Sequence, residues 1–495
     1  MGIIKRQSIK NSIVNYVGVF IGAISVIFIY PLIDKEDLGS IQFTLNTAIL
    51  FAPFASVASS MTAIRFFPQF QDNKQQHNGF LFILSSFTLI TSLIFIASIF
   101  LFRNNISQFF GKDKTLFLNT LPYILGFTCL ISLGNLFQSY ATLFNRIVVP
   151  AIFQNLLLKI AQPVLIFSFY IGLISFATVY KGLSITLIVM VLGLVSYIFY
   201  LKQAHFKPNF TFLSRSLAQS MWRFSAFNIV VSLGSVMSQR IDQLLIVPMI
   251  GYGALAIFSF GFFISEAIDV PRKAISSIAA PLISASISEN RMEHVEEIYK
   301  KSALLQLIIG TFLLAGVWAC ADALFDLMPR NGDVFRAGKN IILILGLSRL
   351  MDMATGTNSE IITLSTHYRF NFTSFTAMAI LNIVFNLLLI PRFGIEGSAL
   401  ATLFSITIIN IWRLLFIKQK MNIQPLQWQM LWVILIGLIA WFVAFLTPSV
   451  NIPIFDILIK GTLVSIVFGV LILVFKVSED VTQMFQKFKS KYMRF

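Results

Sequence analysis

Charged residues are scarce in this sequence. Only 12% of its 495 residues are Asp, Glu, Lys or Arg, and 57% are apolar, whereas a soluble protein has roughly 25% charged and 45–50% apolar residues. A soluble chain of this length would need far more polar surface. With 52 phenylalanines and a mean hydropathy of +0.82, the composition excludes an ordinary soluble protein and indicates one that lies in lipid.

Cysteine and histidine are also rare. Cys129 and Cys320 lie in separate apolar stretches and form no metal or redox motif, so we expect them to be packing residues. The four histidines have no ligand-like spacing, and we expect solvated loop residues at His77, His205, His294 and His367. The sequence therefore predicts no metal and no cofactor. It has no phosphate-binding loop of the GxxxxGK[ST] kind, so ATP is not expected to be the direct energy source.

Apolar stretches long enough to cross a bilayer recur along the chain. A spanning helix needs roughly 20 such residues. Fourteen stretches qualify, centred near Phe20, Ala52, Leu89, Leu130, Gln162, Met190, Ser235, Ser265, Gly310, Met351, Ala379, Ser405, Gly437 and Ile466. The sequence predicts an all-α polytopic membrane protein with about 14 transmembrane helices. The first stretch is expected to be an uncleaved anchor because it is long enough to span and lacks a small-residue cleavage site.

The net charge is +16, and the distribution of the basic residues is explained by the membrane topology. Basic residues alternate between connections, as the positive-inside rule expects, so nucleic acid is not a predicted partner. With the basic N-terminus in the cytoplasm, an even number of spans places the C-terminus there too.

The sequence divides into two halves. The longest cytoplasmic connection is 202–223, in which Ser214–Arg223 has the spacing of a short interfacial helix. Pro31–Phe43 aligns without gaps with Pro248–Phe260, which indicates that spans 1–6 and 7–12 are repeats with the substrate between them. The predicted domains are an N-terminal six-helix lobe (1–201), a cytoplasmic linker (202–223), a C-terminal six-helix lobe (224–420), helices 13 and 14 (421–476) and an amphipathic cytoplasmic tail (477–495).

Nine ionisable side chains fall in the middle of apolar spans. Each costs roughly 2.5–3.5 kcal/mol in lipid on insertion scales, so nine would cost on the order of 25 kcal/mol. They must face one another or a wet cavity. Helical spacing predicts that Asp269 pairs with Arg272 and Lys273, and that Arg349 pairs with Asp352. Arg240 and Asp242 are two residues apart and cannot share a face, so one of them must contact another helix.

Among these nine residues, the cations outnumber the acids by one. A wet cavity with surplus positive charge suits an anionic ligand such as a diphosphate, because arginine and lysine both bind phosphate oxygens. The candidate headgroup-binding residues are Lys159, Arg240, Arg272, Lys273 and Arg349. The acids would pair with them or carry a coupling proton; they are Asp242, Glu266, Asp269 and Asp352. The alternative is an ion-pair network that only holds the second half together. No catalytic residue is predicted.

Polar groups inside the first half are mostly amides. Amides that line a cavity suit sugar hydroxyls, and equally they form hydrogen bonds between helices. Both readings stay open for Gln42, Asn46, Asn135, Gln138, Gln154, Asn155 and Gln162.

Three segments carry a family resemblance. They are Pro31 with Leu38-Gly39, Arg240-Ile-Asp242 followed by Gly251-Tyr-Gly-Ala-Leu, and Pro391-Arg-Phe-Gly-Ile-Glu-Gly-Ser-Ala-Leu-Ala-Thr402. With the helix plan, they make the chain resemble the polysaccharide transporter (O-antigen flippase, Wzx-type) branch of the multidrug/oligosaccharidyl-lipid/polysaccharide exporters. The resemblance implies two lobes in alternating access and a cationic lumen for an undecaprenyl-diphosphate-linked oligosaccharide. It also implies a bacterial inner-membrane location, coupling to an ion gradient, and membrane lipids and other polysaccharide-assembly proteins as partners.

Three other functions remain open. A multidrug or metabolite exporter is disfavoured because helices 13 and 14 lie beyond the twelve-helix repeat and because no acidic residue lies inside the first half. A peptidoglycan lipid-precursor flippase also has fourteen helices, and the sequence does not separate it. A membrane-embedded polymerase or ligase would need a sizeable external loop with catalytic residues, which the short external connections do not supply.

Overall fold

The computed structural model describes residues 2–72, 76–144, 146–204, 209, 212–478 and 482–483. Every element assigned within them is a helix. The long helices are α1 (Gly2–Ile24), α2 (Lys35–Ala55), α3 (Phe80–Leu101), α4 (Lys114–Thr142), α5 (Leu157–Tyr170), α6 (Phe176–Tyr200), α7 (Arg215–Met249), α8 (Tyr252–Ser288), α9 (Met292–Ala319), α10 (Lys339–Ala354), α11 and α12 (the two arms of Tyr368–Met421), α13 (Trp428–Leu446) and α14 (Pro453–Val474).

Shorter helices extend or connect these. Two of them are π-helical turns, Ser25–Ile29 after α1 and Ile152–Leu156 before α5. The others are Tyr30–Leu32, Ser59–Phe70, Gln76–Gly79, Arg103–Gln108, Gly111–Asp113, Val148–Ala151, Ala321–Asp326, Gly332–Arg336 and Asn358–Leu364.

The predicted fold class is confirmed: the chain is an all-α, multi-pass membrane protein. In the described part, 11 helical stretches are long and apolar enough to cross a membrane. Of the remaining predicted spans, one arises because Gly394 divides Tyr368–Met421 into two helices. The others are α7 and α10, which contain charged residues.

Helices α11 and α12 form an antiparallel hairpin. Gly394 turns the chain with φ 58° and ψ −135°, a conformation that glycine adopts without strain. Side chains then pair across the hairpin at intervals of four residues on each arm. Ser398 Oγ donates to Asn386 Oδ1 at 2.7 Å, and Asn382 Nδ2 donates to Thr402 Oγ1 at 3.4 Å. The Pro391–Thr402 segment of the family resemblance is therefore the tip of this hairpin.

The helices form two compact units, Met1–Ala256 and Ile257–Phe495. In unit 1, α2 packs against α4 and α7; in unit 2, α10 packs against the hairpin, and α9 packs against α10, α13 and α14. Helix α7 is continuous from Arg215, so the predicted interfacial helix Ser214–Arg223 is wrong as a separate element. The lobe boundary at 202–223 stays a prediction. Of the predicted tail, 479–481 and 484–495 lie outside the described residues.

His77 is buried, contrary to the expectation of a solvated loop residue. Only 1% of it is exposed, between the rings of Phe67 and Phe144. Its Nδ1 accepts the backbone N–H of Asp72 at 3.2 Å, so its Nε2 carries the proton and donates to Gln203 Oε1 at 2.6 Å. The histidine thereby ties the start of the connection after α6 to the loop before α3.

The two repeat-like segments touch each other inside unit 1. A Cβ atom on Gly39 would lie 1.9 Å from the carbonyl oxygen of Tyr252, and the ring of Tyr252 meets Phe43 edge-on at 5.5 Å. Because a carbonyl oxygen is backbone, it cannot move aside as a flexible side chain would. Glycine at position 39 is therefore required for α2 to approach the start of α8.

Gly39→Ala should lower the apparent melting temperature of the detergent-solubilised protein, because the added methyl group forces α2 away from Tyr252. The matched control is Gly126→Ala in α4, where a Cβ meets nothing within 4 Å. Alanine is favoured over glycine in a helix by about 1 kcal/mol, so the control should not fall. Equal melting temperatures for the two variants would contradict the close approach.

Candidate functional site

Helix α8 carries the first part of the charged cluster in unit 2. Arg272 binds Asp269 through two hydrogen bonds, Nε to Oδ1 at 2.5 Å and Nη2 to Oδ2 at 3.0 Å. The Nζ of Lys273 lies 3.3 Å from Asp269 Oδ2 and 3.1 Å from Glu266 Oε2. The pairing predicted from the spacing of Asp269, Arg272 and Lys273 is confirmed. Asp269 is 1% exposed, so it is almost fully enclosed by its cations.

Helix α10 adds Arg349, but its partner is not the predicted one. Arg349 Nη2 lies 2.6 Å from Glu266 Oε1 on α8, so the predicted pair with Asp352 is wrong. Asp352 instead accepts a hydrogen bond from Asn410 Nδ2 on α12 at 2.6 Å. Residues three apart can meet on one helix face, but here each side chain takes a partner on a neighbouring helix.

Two members of the cluster were missed from the sequence, Arg413 on α12 and Glu360 in Asn358–Leu364. Arg413 is 6% exposed and donates from Nε to Ser374 Oγ at 2.9 Å. Asp352 and Glu360 both lie within electrostatic range of Arg413 and of Arg272. Arg413 was missed because it stands close to Lys418 and Lys420, a run that looks like the cytoplasmic end of a span. With both residues included, four cations of this cluster face four acids.

A separate ion pair in α14 was also missed. Lys460 Nζ lies 2.8 Å from Asp456 Oδ2, and Asp456 Oδ1 accepts the backbone N–H of Val450 at 3.1 Å. Their side chains are 11% and 4% exposed. Their i,i+4 spacing in the sequence indicates an ion pair. The pair lies near the end of the span, however, where charged residues are expected at the membrane surface.

In unit 1, Arg240 contacts another helix, as expected for one of two charged residues that cannot share a helix face. Its Nη1 donates to Asn46 Oδ1 on α2 at 2.7 Å and to Gln243 Oε1 at 3.4 Å. Asp242 is 2% exposed. These residues hold α7 against α2 in the interior of the unit.

Lys159 differs from the other candidate residues. It is the middle residue of the 23-residue span Val148–Tyr170, it is half-buried, and within the described structure it has no hydrogen bond and no ion pair. A Cβ on Gly18 of α1 would lie 3.3 Å from its Nζ. An ammonium at mid-membrane without a counter-ion must meet water or an anion.

The two units therefore offer different chemistry. In the charged cluster of unit 2, the side chain of Lys273 is 53% exposed, while Asp269 and Arg349 are enclosed. In unit 1, Lys159 supplies the positive charge that no acid compensates. Among the described residues, no group of three His, Cys, Asp or Glu side chains is placed to hold a metal ion.

Residues 228–388 match the MatE family. All the candidate charges except Lys159 fall inside this stretch.

Two relatives are similar to a longer part of the chain. An uncharacterized membrane protein of Methanocaldococcus jannaschii is 22% identical over 467 residues, 89% of each chain. A probable low-salt glycan biosynthesis flippase of Haloferax volcanii is 21% identical over 242 residues, 48% of each chain.

The solved structures agree with this match. The lipid II flippase MurJ in its inward closed conformation superposes with a TM-score of 0.71 at 16% identity, covering 94% of this chain and 98% of that one. An inward-facing multidrug resistance MATE family transporter of the MOP superfamily gives 0.63 at 14% identity, covering 82% and 94%. The chain therefore shares its fold with both of these structures. The matched stretch runs from α7 into α11, and Lys159 in α5 lies outside it.

Arg349→Met should destabilise the protein by on the order of 3 kcal/mol, because it leaves Glu266 partly buried with a single cation. Glu266→Gln combined with Arg349→Met should recover part of the loss, since neither charge then remains. The measurement is the melting temperature of each variant in detergent.

The matched control for that pair is Glu297–Lys301, an i,i+4 ion pair at 2.8 Å whose side chains are 56% and 58% exposed. Lys301→Met should lower the melting temperature far less than Arg349→Met, because solvent screens an exposed ion pair. If Arg349→Met shifts the melting temperature no more than Lys301→Met, Arg349 and Glu266 do not form the pair seen here.

Proposed function

We propose that the chain is a flippase that moves a lipid-linked oligosaccharide, carried on undecaprenyl diphosphate, across the bacterial inner membrane for surface polysaccharide synthesis. The observation that supports this most directly is Lys159, a cation at mid-span without a counter-ion. A diphosphate headgroup would neutralise it. Of the relatives, one is named a lipid II flippase and another a probable glycan biosynthesis flippase, and both names are consistent with a lipid-linked substrate.

In this proposal the charged residues act in two ways. Lys159, Arg240, Arg272, Lys273 and Arg349 attract the diphosphate and acidic sugars. The acids hold the cations in place while the headgroup is absent, or carry a coupling proton; they are Asp242, Glu266, Asp269 and Asp352. Because Arg272 and Arg349 are already paired, the headgroup must compete with carboxylates there, and Lys159 is free of that competition.

The transport cycle would be alternating access driven by an ion gradient. The protein would be a secondary transporter rather than an enzyme, with both termini in the cytoplasm. Membrane lipids and other polysaccharide-assembly proteins would surround it.

Two alternatives have specific support. The TM-score of 0.71 to MurJ favours a peptidoglycan lipid precursor as the cargo, and the TM-score of 0.63 to the multidrug transporter favours an organic cation. The uncompensated ammonium of Lys159 argues against the second, because it would repel a positively charged drug.

Reconstituted protein should flip a fluorescent undecaprenyl-diphosphate oligosaccharide in proteoliposomes, measured as the fraction of probe that dithionite can reach. Lys159→Met should lower the initial rate at least about tenfold, because one charge contact to phosphate contributes about 1.5–3 kcal/mol. Lys420→Met, at the exposed end of α12, is the control and should flip at the wild-type rate.

Deletion of the gene separates the cargoes in the cell. Loss of a surface glycan with accumulation of its lipid-linked repeat units supports the proposal. Accumulation of the peptidoglycan precursor would identify the first alternative. Unchanged glycan with new sensitivity to cationic drugs would identify the second and overturn the proposal.

A further inference from the structure

The middle of the fifth span concentrates polar groups whose hydrogen-bonding capacity is unused. The Oε1 of Gln154 and the Nε2 of Gln162 are buried and have no hydrogen-bond partner, and Lys159 between them has no partner either. Gln162 is 8% exposed. One span thus carries an unpaired acceptor, an unpaired cation and an unpaired donor within nine residues.

Neighbouring helices hold these groups in place. Gln154 donates from Nε2 to Asn135 Oδ1 on α4, which turns its Oε1 away from that contact. One helical turn before Lys159, Asn155 Nδ2 donates to Asn15 Oδ1 on α1 at 3.2 Å. Gly18, three residues after Asn15, lies against the Lys159 side chain, and a Cβ atom there would lie 3.3 Å from the ammonium nitrogen.

The backbone is unusual at the same place. Ile152–Leu156, which includes Gln154 and Asn155, is a π-helical turn. Its wider turn changes the direction of the side chains relative to an α-helix, and such turns are frequent at functional sites. The amides of this segment therefore project differently from those of a regular helix.

We infer that Lys159, Gln154 and Gln162 form a subsite for a sugar attached directly to a phosphate. The ammonium takes a phosphate oxygen, the Gln154 carbonyl oxygen accepts a sugar hydroxyl proton, and the Gln162 amide donates to a ring substituent or phosphate oxygen. A bare anion would leave the Gln154 oxygen without a donor, and a neutral sugar would leave Lys159 without an anion. This subsite rests on the proposed function and narrows it to the first sugar of the chain.

Three variants of the full-length protein in nanodiscs test the subsite. The probes are undecaprenyl diphosphate and undecaprenyl diphosphate that carries one N-acetylglucosamine. Wild-type protein should bind the sugar-bearing probe about tenfold more tightly, as expected for one or two added hydrogen bonds. Gln154→Met and Gln162→Met should each reduce that preference while binding of the bare diphosphate stays unchanged. Lys159→Met should weaken both probes.

Gln306→Met in α9 is the matched control. Gln306 is also fully buried with both amide atoms unpartnered, but it lies in unit 2 and far along the chain from Lys159. It should bind both probes as the wild type does. The melting temperature and gel-filtration elution volume of each variant are compared with those of the wild type, so that a misfolded variant is recognised.

The outcomes distinguish the subsite from the proposed function. If the wild type flips the lipid-linked oligosaccharide but the two glutamine variants keep the full preference for the sugar-bearing probe, the subsite is wrong and the proposed function stands. If the wild type binds neither probe, both are wrong. If Gln306→Met loses the preference as well, the effect is general destabilisation and the subsite is wrong.

Discussion

Hydrocarbon offers no water to a charged group, and the contacts of the charged residues inside the described spans follow from that constraint. A lipid-facing ion costs several kcal/mol, so ions inside the spans must be paired, hydrogen-bonded or open to a wet space. In unit 2 the chain meets the constraint with mutual pairing: Glu266 joins Arg349 to Lys273, and Asp269 holds Arg272. These contacts also tie α8 to α10. The same ions that suit a ligand therefore also determine how the helices pack.

The sequence predicted the class of the fold well because hydrocarbon thickness imposes a length on each span. All fourteen predicted centres fall within helices of the structure. It predicted pairs within a helix, such as Asp269 with Arg272, because i,i+3 and i,i+4 geometry is local. It did not predict the partner of Arg349, since the choice between Asp352 and Glu266 depends on how α8 and α10 approach each other. Helical periodicity contains no information about that approach.

The burial of residues near the ends of spans is harder to predict from the sequence. Arg413 and the pair Asp456–Lys460 read as the polar flanks that end a transmembrane helix, and the structure buries all three. Likewise, His77 reads as a loop residue from its polar neighbours, yet the loop folds onto Phe67 and Phe144 and encloses it. In each case the sequence gives the polarity of the segment, and burial depends on long-range contacts. Gly39 is a clearer signal, because a glycine at a helix–helix contact implies close approach even when the partner is unknown.

Lysine at position 159 suits a carrier better than arginine would. Arginine binds a phosphate or carboxylate through a rigid two-pronged contact, as Arg272 does with Asp269, and such contacts are slow to break. The ammonium of lysine is a compact and strongly hydrated point charge on a flexible chain, so it can exchange an anion for water with little rearrangement. A flippase must release its cargo on the far side, and tight binding at mid-membrane would trap it. In the proposed subsite, a single lysine flanked by neutral amides would bind a sugar phosphate and still release it, whereas the paired arginines of unit 2 are better suited to hold helices together.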